Sequence, residues 1–140
     1  MLVAKDWLDE GSISRLLPSE RQALSERGYM PSKAFNRVLD VALGLAGLSR
    51  SDIYVTQAFH LINRSTSGQL SGRAVDICFD AVTRHEAVGR RVVALGGDAA
   101  AACRRHGIVH FETLRPSARG LSHLGKGAII AEALIKALGS

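Results

Sequence analysis

Near its C-terminus the chain reads ETLRPSARGLSHLGKG, which gathers Arg115, Arg119 and Lys126 with Ser117, Ser122 and His123 within twelve residues. Cations and hydroxyls in a glycine-containing loop can donate to phosphate oxygens, so this stretch suits phosphate contacts. A solvated basic loop is the alternative. Gly96-Gly97-Asp98 is a second candidate, because amides at the start of a helix attract anions. Neither GxGxxG nor GxxxxGK(S/T) occurs there, and Asp98 suits the N-cap of the helix that follows, which is the preferred reading. At the other end, MLVAKDW runs from apolar residues into Lys5, Asp6 and Trp7 and places an acid where a buried strand should stop.

The elements that must hold these groups alternate. Short runs rich in Val, Ile, Tyr and Phe predict strands over Met1–Ala4, Asp52–Ala58, Arg91–Leu95 and Ile108–Leu114. Helical stretches fall around Pro18–Arg27, Lys33–Leu45, Ala74–Glu86 and Ala99–His106. A last one spans Ala128–Leu138, where Ile130, Leu134, Ala137 and Leu138 repeat at helical spacing. Gly47, Gly96, Gly97 and Gly107 punctuate these boundaries. Strands alternating with helices imply crossover connections and a parallel sheet covered on both faces: a three-layer α/β/α sandwich with four parallel strands, in a single domain over residues 1–140. The polar run 63–72 is the most loop-like stretch.

In such a sheet, ligands sit in the crevice beyond the carboxyl ends of the strands. That rule selects Lys5, Asp6 and Trp7, then Gln57 and His60, then Gly96 to Asp98, then Arg115, Pro116 and Ser117.

Composition narrows the partners. With 140 residues, 46% of them apolar, one core is expected. Eighteen Lys and Arg against thirteen Asp and Glu leave a formal charge of +5, which favours an acidic partner such as nucleic acid but also suits many ordinary soluble proteins. No run approaches the roughly 20 apolar residues of a membrane span. Lys5 and Asp6 interrupt the N-terminal apolar run too early for a signal peptide, so a soluble protein is expected. Cys78 and Cys103 lack CxxC spacing and read as reduced, buried thiols, which suits the cytoplasm. No metal and no cofactor are expected.

The blocks MLVAKDW, MPSKAFNRVLDVALGLAGLSRSDIYVTQAF, RRVVALGGDAAAAC and LRPSARGLSH, in that order across nearly the whole chain, resemble the uracil-DNA glycosylase superfamily. The resemblance implies hydrolysis of the N-glycosidic bond of a base rotated out of DNA. It places Asp6 where the family keeps its water-activating carboxylate. Lys5, Gln57, Tyr29 and Ser117 become substrate contacts, with Tyr29 the aromatic that stacks on the flipped base. Arg115 becomes the cation at the leaving base, and Arg119, His123 and Lys126 become DNA contacts. Gln57 stands where the family's base-reading Asn would, one methylene longer, and Arg115 stands where His precedes Pro-Ser. Ala4-Lys5 replaces Gly-Gln, and Trp7-Leu8 replaces the Pro-Tyr of the best-known members. Relatives with an iron-sulfur cluster use four cysteines, so two cannot hold one alone. Family members carry further helices ahead of the first strand, so the resemblance reads this chain as a minimal or shortened form. Two other readings stand beside the glycosylase: a non-catalytic nucleic-acid-binding module of the same fold, and a small nucleotide or phosphate binder.

Overall fold

The computed structural model describes residues 1–64 and 71–140, so most of the polar run 63–72 lies outside the described residues. In chain order the elements are β1 (Leu2–Ala4), α1 (Glu10–Ser14), α2 (Pro18–Arg27), α3 (Ala34–Leu45), β2 (Val55–Gln57), α4 (Gly72–Cys78), α5 (Arg84–Glu86), β3 (Val92–Leu95), α6 (Gly97–Arg105), β4 (His110–Thr113) and α7 (His123–Gly139). A π turn over Phe79–Thr83 joins α4 to α5. The four strands form one all-parallel sheet in the order β2-β1-β3-β4. Leu2 stands opposite Val55 and Ala4 opposite Gln57; on the far side Val92 is matched with His110 and Leu95 with Thr113.

Alternation along each strand divides the core in two, because successive side chains leave the sheet on opposite faces. Leu2, Val93 and Leu95 point one way and pack with Val38, Leu39 and Leu43 of α3 and Ile130 and Leu134 of α7. Val3, Val92 and Ala94 point the other way, against Phe79 of the π turn and Ala99, Ala102 and Cys103 of α6. Helices on both faces of a parallel sheet make the three-layer sandwich that the alternation of elements predicts. Each fully buried Leu or Ile in these layers contributes about 1.5–3 kcal/mol by leaving water. Cys103 lies wholly inside, and burial pushes its thiol up to about 11, so it serves as a small apolar residue.

Four boundaries differ from the sequence reading, each for a local reason. Asp9 accepts from both the backbone N–H (3.0 Å) and the hydroxyl (2.6 Å) of Ser12, which starts α1, a helix too short for periodicity to reveal. Ser49 and Asp52 cap each other's backbone around a 3₁₀ turn, so β2 begins at Val55 rather than Asp52. Gly96, at φ 96°, takes the N-cap of α6, and Asp98 falls inside the first turn instead of capping it. Ser122 caps α7 by accepting from Gly125 N–H at 3.0 Å, so that helix begins at His123 rather than Ala128.

Candidate functional site

The connection from β1 leads to β2 at one edge, whereas the one from β3 leads to β4 at the other. The carboxyl ends of the adjacent strands β1 and β3 are therefore the switch point where a ligand crevice opens in this class of sheet. Two depressions adjoin there. The larger, about 560 Å³, is lined by Asp6, Trp7, Tyr29, Arg50, Gln57 and Ser117 among others. Its size falls in the range of small-molecule sites.

Asp6 leaves the end of β1 half-buried. Its neighbour Asp9 does the capping of α1, while Asp6 itself makes no hydrogen bond or ion pair with any described residue. Burial pushes its carboxyl above the ordinary 3.8; Lys5 opposes the shift, and Asp98 and Asp9 add to it. A carboxylate poorly compensated for its desolvation holds a proton more readily than a surface acid, which suits proton transfer.

Tyr29 is held from behind. Gly28 ends α2 with φ 77°, a conformation that favours glycine and turns the chain toward the cleft. Asn36 donates to the Met30 carbonyl at 2.9 Å and accepts from Arg50 at 3.1 Å. Arg50 also pairs with Asp40 at 2.8 Å, and its guanidinium carbon lies 4.3 Å from the centre of the Tyr29 ring. A ring backed by a fixed cation is a rigid platform for a planar ligand. The sequence reading missed Arg50 and Asn36, since neither carries a motif; their positions in MPSKAFN and LSRSD become meaningful only when α3 and the following turn fold together.

Gln57 ends β2 opposite Ala4, and its side-chain amide makes no hydrogen bond with any described residue, so donor and acceptor both remain for a ligand. Ser117 reaches the same cleft from the β4–α7 loop. Thus Asp6, Tyr29, Gln57 and Ser117, far apart in sequence, line one cavity.

The second depression, about 360 Å³, lies over β1, β3 and β4 and is lined by Lys5, Gly96, Gly97, Asp98 and Arg115. Lys5 pairs with Asp98 at 3.1 Å. Arg115 is exposed, and its Cβ packs so closely on Gly96 that a methyl there would stand 3.0 Å from it. Lys5 and Arg115 thus face the neighbouring depression rather than the Asp6 cleft. Arg119 and His123 are exposed, the first in the loop and the second at the start of α7. Lys126 differs from its expected place in a solvated loop. It lies in the first turn of α7, is 7% exposed, and donates from Nζ to the Ala118 carbonyl at 3.2 Å. With Ala118 N–H returning to the Arg115 carbonyl at 2.9 Å and Pro116 buried, Lys126 braces the turn that carries Arg115 and Ser117.

Among the described residues, no group of three or more His, Cys, Asp or Glu side chains is placed to hold a metal ion, and no helix is long and apolar enough to cross a membrane. Neither a protein-family model nor a curated protein matches the chain.

Proposed function

We propose that the larger cleft receives a nucleobase rotated out of a DNA strand and that the protein hydrolyses the N-glycosidic bond of a deaminated base, with uracil the first candidate. The observation that carries this reading is the half-buried Asp6 carboxylate, in one cavity with the Gln57 amide and the Arg50-backed ring of Tyr29, neither Asp6 nor the Gln57 amide being hydrogen-bonded to any described residue. Bond breaking leaves the electron pair on the departing base and oxocarbenium character on the sugar. Asp6 then stabilises that cation and accepts a proton from the water that attacks C1′. Gln57 offers an N–H donor and a carbonyl acceptor to the base edge, and Tyr29 stacks on its face. Lys5 and Arg115 supply positive charge beside the cleft where the base leaves as an anion. Ser117 contacts the flipped nucleotide inside the cleft, and Arg119 and His123 contact the phosphates that flank it.

A non-catalytic DNA-binding module of the same fold is the second reading. It is favoured by the position of Arg115, which lines the adjoining depression and not the Asp6 cleft. One assay separates the two. Oligonucleotides containing uracil, hypoxanthine or xanthine are incubated with the protein and with Asp6→Asn, and abasic sites are counted under single-turnover conditions. The glycosylase reading expects release that falls by about 10²- to 10⁴-fold in the variant, the scale of a positioned general base, with DNA affinity little changed. Salt-sensitive binding without release selects the second reading.

A further inference from the structure

β2 is an edge strand of three residues, bonded on one side to β1 and on the other to no described strand. What stands against it is the helical segment running through the π turn. Arg84 N–H reaches back five residues to the Phe79 carbonyl, the wide turn that defines this conformation, and Thr83 is its last residue. Thr83 is wholly buried, and its hydroxyl donates to the Gln57 carbonyl at 2.6 Å. The single hydroxyl proton is spent in that bond. The contact between Thr83 Oγ1 and His60 Nε2 at 2.9 Å must then be donated by the imidazole, which fixes the proton of His60 on Nε2. One turn further on, Glu86 accepts from Thr56 Oγ1 at 2.6 Å and from Tyr54 Oη at 2.5 Å. Three residues of β2 and its approach are thereby gripped by two residues of one helical segment.

The Gln57 amide makes no side-chain hydrogen bond with any described residue, so where it stands in the cleft is decided by the tethers of its backbone. On the inner side these are the β1 register and the bond from Ala58 N–H to the Ala4 carbonyl at 2.8 Å. On the outer side the tether is Thr83. π turns of this kind recur at functional sites, where the extra residue redirects a side chain that a regular helix would aim elsewhere. We propose that Thr83, oriented by His60, is a positioning residue that sets the reach of the Gln57 amide and so determines which base the cleft accepts. The inference rests on the nucleobase reading of the cleft but does not require bond cleavage.

Free uracil and free hypoxanthine, titrated in turn into ¹⁵N-labelled protein while the Gln57 side-chain amide resonance is followed, give a ratio of two dissociation constants. Thr83→Val keeps the shape of the side chain and loses both hydrogen bonds; it should change that ratio by about fivefold, the scale of one net hydrogen bond, and shift the Gln57 resonance. Thr83→Ser keeps the hydroxyl and should restore the wild-type ratio. His60→Ala removes the orienting donor from a partly exposed site and should move the ratio in the same direction, which keeps the test open if Thr83→Val fails to fold. An unchanged ratio in both Thr83→Val and His60→Ala, with only a lower melting temperature, would reduce Thr83 to a structural strut. Failure of the wild-type protein to bind either base overturns the proposal as well. Binding of free bases without release from DNA removes the hydrolytic reading and leaves this one standing.

Discussion

At the scale of single residues, the proposed role of Asp6 sets stability against chemistry. Its carboxyl takes up a proton more readily folded than unfolded, because burial disfavours the charged form. The fold therefore loses stability as pH rises from the ordinary value of 3.8 through the raised one, and the loss is complete above it. Asp6→Asn escapes this cost, so at pH 7 the variant should melt at a higher temperature than wild type even as base release collapses; calorimetry at pH 7 and pH 3 checks the sign, since the gain should shrink at the acid end. A carboxylate base works only when ionised. The wild-type release rate should accordingly climb with pH through the raised value, and the inflection should vanish in Asp6→Asn, as a pH profile of single-turnover rates would reveal. Arg115 poses a different question. If its guanidinium stabilises charge on the leaving base, Arg115→Ala should slow release by about 10²- to 10³-fold with affinity nearly kept. If it grips phosphate from the neighbouring depression, affinity should fall instead and the rate at saturating DNA should hold.

At the scale of elements, the site depends on how α7 lies on α3. A methyl group on Gly127 would come within 2.4 Å of Val41 Cγ1 and 2.8 Å of Val41 Cβ, so the two helices meet at this glycine. The adjacent Lys126 then reaches the Ala118 carbonyl and braces the turn bearing Ser117 and Arg115. Gly127→Ala should destabilise the protein by about 1–3 kcal/mol, the usual cost of overpacking a core, measured as a shift in denaturant midpoint. Val41→Ala in the same chain should recover part of that loss. Here the limits of periodicity are visible. Sequence reading placed α2 and α3 within one residue at either end, and for α2, which buries none of its residues, only local signals mark the bounds: Pro18 and Gly28 for α2, with Pro31 ahead of α3. It missed α1, which buries none of its residues and exists by its Asp9 cap, and it read α4, the π turn and α5 as one helix, since a single extra residue in a turn leaves the apolar pattern nearly intact.

At the scale of the whole molecule, the proposed contact with DNA should weaken steeply with salt, as phosphate contacts made by a chain of formal charge +5 release counterions. Arg119→Ala, from an exposed loop position, should lower the slope of log affinity against log salt by about one unit. Lys126→Met, which keeps the buried stem and loses the bond to Ala118, should leave that slope near wild type while lowering the melting temperature; filter binding at several salt concentrations distinguishes the two. The charge total says nothing about this difference, because a count of lysines does not record which of them is buried. Strand and helix order, the parallel sheet and its two covered faces were legible in the sequence, since alternating short β-branched runs and amphipathic helices admit few other packings. The edge rule selects Asp6, Gln57, Arg115 and Ser117 from the sequence alone. Which of these share a cavity was decided only in three dimensions: Ser117 joins Asp6 and Gln57, whereas Arg115, two residues earlier, faces the next depression with Lys5. Residues two apart in a loop can face different ways, and the tertiary contacts that turn them, Gly96 under Arg115 and Lys126 under Ala118, come from parts of the chain that no local pattern connects.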